Sequence, residues 1–432
     1  MELKTRPAQK MYTFRWMIFA VLAAAYLFVY FHRLSLSVVA DELVREFDTT
    51  AGTIGLLGSL YFYFYAAMQL PAGLLADSIG PRKTVTVFLF IASAGSVLFG
   101  MAPGIGTAFF GRILVGFGVS VVFIPTMKIL SQWFKKSEFA FMAGILNAVG
   151  GAGVLAATWL LAWMTSLFGW RLSFEIIGGC TLGLMVLVWT VVRDSPAHKG
   201  WPSIEDMEEA GGGAGIKEEP IRLPEGVKRV LSERYFWPVA AWFFLDCGVF
   251  FGFGALWSGP YLMHVYGMSR AETGTLLSMI AWGMIIGSPV LGYLSDRVLK
   301  SRKKVFMLCS ACLTLVFLLF CLFPSGFSRP VLYVLIFLFS VSSSAVVIIG
   351  FTTTKELFPV RIAGTSVGTV NLFPFLGGAV YMPVLGKILD ANPVSPQGVY
   401  ALQGYTVMLY VLLATAAAAL ACTFFMKETY SA

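Results

Sequence analysis

The sequence predicts an all-α polytopic membrane protein in which two six-helix bundles are joined by a polar linker. Three observations support this prediction. Hydrophobic residues make up 58% of the 432 residues and charged residues only 12%, about half of the roughly 25% that soluble domains carry. Apolar runs long enough to cross a hydrocarbon core of about 30 Å recur along the whole chain. Matches between the two halves indicate a duplicated unit.

Twelve apolar stretches are long enough to span a membrane, and we number these spans 1 to 12 in chain order. Their predicted bounds are 16–40, 54–76, 84–103, 106–132, 140–167, 172–192, 236–264, 272–295, 304–324, 329–354, 361–388 and 400–426. The longest polar segment contains "AGGGAGIKEEP", which is typical of a flexible linker with room for one short amphipathic helix. We therefore predict an N-terminal bundle over 1–193, a cytoplasmic linker over 194–235 and a C-terminal bundle over 236–432.

The charge distribution predicts the orientation in the membrane. Most of the 31 Lys and Arg residues lie in the N-terminal segment, the linker and alternate loops, whereas the loop after span 1, "DELVREFD", is acidic. Basic residues concentrate on the cytoplasmic side, so both termini are expected in the cytoplasm of a cell (inner) membrane protein. Topology accounts for the net charge of +8, and no nucleic-acid partner is expected. No small-residue cleavage site follows the first apolar run, so span 1 is expected to be retained.

The chain offers no residue cluster that is typical of catalysis or of a metal site. All six cysteines fall in predicted spans, and the C-x-x-C of Cys309 and Cys312 has no second pair or histidine near it. The three histidines are scattered along the sequence. We expect no enzyme activity, no catalytic residues, no metal and no cofactor. The expected partners are a small-molecule substrate, protons and the lipid bilayer, and the chain is expected to be a monomer.

Two sequence matches relate the halves. The end of span 2, "GLLADSIGPRK" (73–83), matches the end of span 8, "GYLSDRVLKSRKK" (292–304), with an offset of 219 at the shared glycine and aspartate. Spans 5 and 11 match at an offset of 224, through the pairs Gly144 and Gly368, Asn147 and Asn371, and Gly153 and Gly377. Duplicated six-helix halves are common in transporters, whose substrate site lies between the halves near mid-membrane.

The loop after span 2, Gly-x-Leu-x-Asp-x-x-Gly-x-Arg-Lys, resembles the signature loop of the major facilitator superfamily (MFS). The helix count, the central linker and the repeat extend this resemblance over the whole chain. The resemblance implies the twelve-helix MFS fold and a loop that gates the cytoplasmic side. Here the gating residues would be Gly73, Asp77, Gly80 and Arg82, with Asp296 and Arg297 in the second, degenerate copy. The alternative is that these charges only set the topology.

The resemblance also implies that spans 1, 4, 7 and 10 line the substrate cavity. One helical face of span 1 carries two tyrosines, an arginine and a serine, and a similar face of span 7 carries an aspartate and three aromatic residues. The predicted substrate-binding residues are Arg33, Tyr30, Tyr26, Ser37, Trp257, Phe250, Asn147 and Asn371. The two asparagines come from the matched positions of spans 5 and 11.

Arg33 is the strongest functional signal in the sequence. A central arginine costs about 2.5–3.5 kcal/mol on membrane-insertion scales, so the charge needs a compensating role. The guanidinium fork matches two oxygens of a carboxylate or phosphate, and the span 1 pattern resembles superfamily members that carry organic anions. Span 7 lacks the arginine that phosphate-exchanging members place there, which favours a carboxylate-bearing anion or zwitterion. A purely structural arginine is the alternative.

Proton coupling is predicted at Asp246 and Arg112. Asp246 is the acidic residue placed deepest in a cavity-lining span, where a carboxyl group can take part in proton exchange. A fixed ion pair with Arg33 or Arg112 is the alternative. Arg112, in "GRILVGFGVS", resembles the arginine-glycine motif that the family uses in proton coupling. We therefore predict a secondary active, proton-coupled symporter that works by alternating access. A proton-driven exporter or antiporter of the same fold and a non-transporting ligand sensor are the alternatives.

Overall fold

The computed structural model describes residues 2–201, 223–392 and 400–430, and these are almost wholly helical. Ten helical stretches in this part are long and apolar enough to cross a membrane. The helix Ala51–Ala67 and the part Pro71–Ser78 of the next helix make an eleventh if this bent pair is counted as one span. One of the ten, Phe141–Val191, has 51 residues, far more than the roughly 20 that a bilayer requires. It leaves helical geometry at Gly169 (φ 73°) and so holds two spans. The predicted all-α multi-pass fold is confirmed.

The described chain is built from a succession of α-helices. In order they are Glu2–Leu34, Leu36–Glu46, Ala51–Ala67, Gln69–Ser78, Pro81–Gly100, Ile105–Ser120, Phe123–Trp133, Lys136–Leu155, Leu161–Val191, Leu223–Ser232, Phe236–Val249, Ser258–Tyr266, Arg270–Tyr293, Arg302–Leu322, Arg329–Ser340, Val347–Glu356, Val360–Val370, Leu372–Asp390 and Leu402–Phe425. Wider π-helical turns, which often mark functional sites, occupy Ala156–Leu160, Phe250–Trp257, Leu294–Val298 and Val341–Ala345, and Pro196–Lys199 is a 3₁₀ turn.

The predicted linker contains one described α-helix, Leu223–Ser232, as the sequence suggested. Its Val230 is buried, whereas Lys228 and Arg229 are exposed, so this helix is amphipathic. The glycine-rich part of the linker, within 202–222, lies outside the described residues.

The chain forms two compact units. The first unit comprises Met1–Tyr30, Ala67–Gly153 and Phe174–Glu219. The second unit comprises Phe31–Ala66, Val154–Ser173 and Pro220–Ala432, so parts of spans 1, 2, 5 and 6 pack with the C-terminal half. The bundle boundaries expected from the sequence stay a prediction.

Each unit contains a very close helix crossing at a glycine that is the repeat partner of a glycine in the other unit. In the first unit, a Cβ added to Gly153 would lie 2.2 Å from the carbonyl oxygen of Leu27. In the second unit, a Cβ added to Gly377 would lie 2.2 Å from the carbonyl oxygen of Phe244. Small residues let membrane helices approach to backbone contact. The duplication seen in the sequence is therefore visible in how span 5 meets span 1 and span 11 meets span 7.

In the second unit, polar contacts fasten the segment Phe31–Ala66 to the C-terminal half. The carboxylate of Asp390 accepts hydrogen bonds from the backbone N–H groups of Ala51 (2.8 Å) and Gly52 (2.7 Å), which begin a helix and have no partner within it. His264 Nε2 lies 2.9 Å from Asp41 Oδ1. Each of these contacts joins an N-terminal segment to an element that follows the linker.

Candidate functional site

Arg33 is surrounded by aromatic rings in the second unit. Its side chain is buried, and its guanidinium carbon lies 5.0 Å from the ring centre of Tyr65, 5.1 Å from Phe375 and 5.9 Å from Phe251. All three distances fall in the range of a cation–π interaction, which contributes about 0.5–2 kcal/mol depending on desolvation. The rings therefore offset part of the cost of burying this charge.

The three rings are packed together rather than placed singly. The ring centres of Tyr65 and Phe375 are 4.2 Å apart, and Phe251 lies 4.6 Å from Phe62. Gly378 makes this possible, because a Cβ there would come within 3.0 Å of Phe251 and 3.1 Å of Phe62. Spans 2, 7 and 11 thus supply one continuous aromatic cluster, which we call the Arg33 ring cluster and define as Phe62, Tyr65, Phe251 and Phe375.

Other predicted residues of span 1 have neighbours of their own. In the first unit, the ring centres of Tyr26 and Tyr30 lie 5.3 Å apart, and Tyr26 lies 5.4 Å from Phe123. In the second unit, the Ser37 hydroxyl donates a hydrogen bond to the carbonyl of Leu34 (2.9 Å). Their part in substrate binding stays a prediction.

Asp246 is completely buried in span 7. Its Oδ2 accepts a hydrogen bond of 2.7 Å from the hydroxyl of Ser343, which lies in the π-helical stretch Val341–Ala345 of span 10. Within the described chain its Oδ1 is buried without a hydrogen-bond partner. The described ion pairs do not include one between Asp246 and Arg33 or Arg112. The role of Asp246 in proton coupling stays a prediction.

The remaining aromatic candidates of span 7 are packed inside the second unit. The indole N–H of Trp257 donates to the carbonyl of Met382 (3.0 Å), and the Phe250 ring stacks on Phe339 at 5.7 Å. Phe251, the neighbour of Phe250, is the span 7 ring that contacts Arg33. The π-helical turn over Phe250–Trp257 changes which residues share a face, and a period of 3.6 does not capture this change.

Three further candidates are buried or half-buried. Arg112 is 1% exposed in the first unit, with its guanidinium carbon 6.0 Å from the Phe99 ring. Asn147 is half-buried in the first unit. Asn371 is half-buried in the second unit, at the break between Val360–Val370 and Leu372–Asp390. Their predicted roles in coupling and binding stay predictions.

The first copy of the loop motif forms one ion pair and one helix cap. Lys128 Nζ lies 2.6 Å from Asp77 Oδ1 and donates to the carbonyl of Ala76 (3.0 Å). Gly80 has φ 92°, a conformation that favours glycine, and the next helix begins after it. The backbone N–H of Arg82 donates to Asp194 Oδ1 (2.6 Å). The nearby Gly73 has no atom within 4 Å of an added Cβ.

The second copy is built differently. Arg302 forms ion pairs with Asp296 and, at 3.1 Å, with Glu356 Oε1. Its backbone N–H donates to Glu428 Oε1 (2.9 Å). Arg297, the predicted gating arginine of this copy, is exposed. The gating role of both copies stays a prediction.

Sequence reasoning missed Tyr65, Phe375 and Ser343. Signals for two of them were present in the sequence. Tyr65 ends the aromatic run "YFYFY" (61–65), and Ser343 belongs to "SVSSSAVV", a polar run inside an apolar span. Among the residues that the structure describes, no group of three or more His, Cys, Asp or Glu side chains could hold a metal ion.

Comparisons with known proteins agree with this architecture. The sequence model of the Major Facilitator Superfamily matches residues 22–382 and 244–429. A protein of Cupriavidus necator named as a probable sulfoacetate transporter is 26% identical over 292 residues, or 66% of each chain. A probable galactarate/D-glucarate transporter of Escherichia coli K12 is 24% identical over 87% of this chain and 88% of its own. A D-galactonate transporter of Escherichia coli O6:H1 is 22% identical over 91% and 93%.

A solved structure shows the same fold. The bacterial homologue of the human lysosomal transporter Spinster, in an inward-facing and unoccupied conformation, superposes with a TM-score of 0.75 at 17% identity. The match covers 96% of this chain and 98% of that chain. Because the family match extends over most of the chain, the protein belongs to the Major Facilitator Superfamily and is a membrane transporter of a small molecule rather than an enzyme.

Proposed function

We propose that this transporter moves a small carboxylate-bearing organic anion or zwitterion by alternating access, as a proton symporter. The observation that carries the proposal is the buried guanidinium of Arg33, held by rings from spans 2, 7 and 11. The membrane would be the cell's inner membrane, with both termini in the cytoplasm, as the Lys and Arg residues of the N-terminal segment, the linker and alternate loops support. The protein would act as a monomer.

The anion would bind at the edge of the Arg33 guanidinium. Aromatic rings interact with the face of a guanidinium, whereas its N–H groups point outward in the plane and form a fork for two oxygens. Carboxylates satisfy this fork. The relatives named for galactarate, D-glucarate and D-galactonate support a carboxylate as the recognised group. Span 7 of this chain contains no second arginine that would favour a doubly charged phosphate.

The proton would bind at Asp246. A buried ionised carboxylate is costly unless it is paired, whereas a neutral carboxyl group can be buried with hydrogen bonds. Ser343 supplies one hydrogen bond, and Asp246 is not a member of any of the described ion pairs. Protonation of Asp246 would therefore decide whether span 7 carries a buried charge. Asp246 would be neutral in the transporter that has bound a proton and charged in the transporter that has released it.

Alternating access is supported by the contacts of the second unit. With both termini in the cytoplasm, the contacts of Asp390 with Ala51 and Gly52 and of His264 with Asp41 would lie on the external side. They would close that side, and they would have to break when the transporter opens outward. The loop residues Asp77 and Asp296 would act at the opposite, cytoplasmic side.

Uptake by the purified protein in liposomes tests the binding group. The labelled substrates are D-galactonate, D-glucarate, sulfoacetate, benzoate and a neutral sugar. Uptake of each is measured under a pH gradient and in counterflow. Arg33→Lys keeps the charge but loses the fork, so affinity for the transported anion should fall more than tenfold, or about 1.4 kcal/mol. Arg329→Lys, at a side chain that is 60% exposed, is the matched control. Unchanged affinity in a folded Arg33→Lys variant would show that Arg33 is structural.

Proton coupling is tested with Asp246→Asn. This variant should lose accumulation driven by a pH gradient while it still exchanges external for internal substrate, with Asp48→Asn as the control at an exposed aspartate. Full pH-driven uptake by Asp246→Asn contradicts the assignment. Efflux driven by the gradient would indicate an exporter, and binding without any flux would indicate a sensor.

A further inference from the structure

We propose that the Arg33 ring cluster competes with the substrate for the positive charge of Arg33, and that anion binding thereby weakens the contact that Arg33 makes with spans 2 and 11. This inference rests on the proposed binding of an anion at Arg33. Tyr65 and Phe375 are then positioning residues: they act on the substrate through the guanidinium and set how tightly the anion is held.

Tyr65 and Phe375 are the two rings of the cluster that lie closest to the guanidinium of Arg33. Their ring centres are 4.2 Å apart, and each lies about 5 Å from the same guanidinium carbon, at 5.0 and 5.1 Å. One cation is therefore shared by two rings that are also in contact with each other. Tyr65 belongs to span 2, before the linker, and Phe375 belongs to span 11, after it. Arg33 and this ring pair hold N-terminal and C-terminal segments of the second unit together.

The attraction depends on the net charge that the rings experience. A cation–π interaction is electrostatic, between the cation and the negative face of the ring quadrupole. A carboxylate bound at the guanidinium edge brings an opposite charge close to the same centre, so the rings then interact with a nearly neutral pair. Ring attraction and anion binding therefore cannot both act at full strength. A substrate that occupies the fork weakens the contact that Arg33 makes with spans 2 and 11.

Two effects of the rings must be distinguished. The rings orient the guanidinium by their shape, which favours binding, and they attract its charge by their quadrupole, which opposes binding. Removal of a ring, as in Phe375→Leu, eliminates both effects and should weaken binding through lost orientation. Fluorination of a ring keeps its shape but withdraws electron density from its face, so it removes only the competing attraction.

The test places 4-fluoro-, 3,5-difluoro- and 3,4,5-trifluorophenylalanine at position 375 of the full-length chain. Without ligand, the thermal unfolding midpoint in detergent should fall stepwise with fluorination in the Arg33 protein and stay flat in the Arg33→Gln background. The same series at Phe320, whose ring packs against other aromatic rings, is the control. If fluorination at position 375 leaves the unfolding midpoint of the Arg33 protein unchanged, the proposal is wrong. This result does not depend on which substrate the protein carries.

The second measurement is the affinity for D-galactonate or, if the protein does not take it up, for the carboxylate that it takes up fastest. Affinity should rise along the fluorinated series, by at least about threefold for trifluorophenylalanine, while Phe375→Leu lowers it. Tyr65→Phe, which keeps the ring, should retain more affinity than Tyr65→Leu. If the affinity stays constant or falls with fluorination, the rings do not compete with the anion for the charge of Arg33. If affinity is unchanged in Arg33→Lys, the proposed binding site fails instead, whatever the stability series shows.

Discussion

The two copies of the repeated loop hold their helix ends in different ways. In the first copy, Asp77 is 71% exposed and pairs with one partner, Lys128. In the second copy, the Arg302 side chain is 11% exposed and lies between Asp296 and Glu356. The copy that departs more from the family motif thus makes the denser and better buried network. A match to the motif therefore does not measure how firmly a loop is held.

Despite this difference, the two copies share one feature, a carboxylate that caps the start of a helix. The backbone N–H of Arg82 donates to Asp194 in the first half, and the backbone N–H of Arg302 donates to Glu428 in the second half. Each acidic residue follows the last span of its half and caps the third span, where unpaired N–H groups favour a negative charge. The duplication has kept the cap and changed the ion pairs around it.

The largest expected effect tests whether the repeats are equivalent in packing. Gly153→Ala and Gly377→Ala should each lower stability by at least about 2 kcal/mol, because the new Cβ meets a backbone carbonyl that cannot rotate away. The repeat-matched controls are Gly144→Ala and Gly368→Ala, where an added Cβ has no atom within 4 Å. These should be neutral or stabilising by up to about 1 kcal/mol, because alanine favours the helix. Equal thermal midpoints for all four variants would contradict the close crossings.

A smaller difference in stability is expected between variants of the two loops. Arg302→Met removes the shared partner of two carboxylates and should cost about 2 kcal/mol, below the 3–5 kcal/mol of a fully buried pair because Asp296 is 55% exposed. Lys128→Met breaks an exposed pair and should cost under about 1 kcal/mol. Thermal unfolding of both variants in the same detergent makes the comparison. If Lys128→Met is the more damaging variant, the burial argument is wrong.

The fold could be predicted from the sequence because each membrane span needs its own long apolar run, and such a run is a local property. Arg33 could be identified for the same reason, since a charge inside an apolar stretch stands out. Its ring partners could not be identified, because Tyr65 and Phe375 are brought to it by the packing of three spans. Helical periodicity selected Phe250, whereas the wider turn over Phe250–Trp257 presents Phe251 to Arg33.

The third test concerns transport rather than stability. If the first loop gates the cytoplasmic side, Asp77→Asn should slow turnover severalfold while substrate affinity changes only a few fold and the thermal midpoint shifts little, because its ion pair is exposed. Compared with Asp77→Asn, the variant Asp296→Asn should lose more stability and less turnover. Initial uptake rates and binding measured on the same preparations test this. Normal turnover in Asp77→Asn would leave the aspartate with a topological role only.

The smallest expected effect is the acid sensitivity of the cap in the second half. Partial burial alone would raise the pKa of Glu428, but hydrogen bonds from the Ser301 hydroxyl and from the backbone N–H groups of Tyr430, Arg302 and Thr429 outweigh it and lower the pKa below the usual range. The folded state therefore binds this proton less readily than the unfolded chain, and stability is lost as pH falls.

This stabilisation is fully present above the ordinary glutamate value of about 4.3 and disappears as the pH falls through the lower pKa of the folded state. The thermal midpoint of the wild-type protein should thus decline between pH 5 and about pH 3 more steeply than that of Glu428→Gln. The two midpoints should differ most near pH 6 and converge in acid, because the amide cannot be titrated. Glu225→Gln, at an exposed residue of the linker helix, should follow the wild-type profile throughout. Parallel profiles for the wild-type protein and Glu428→Gln would mean that the ionised carboxylate contributes nothing to the cap.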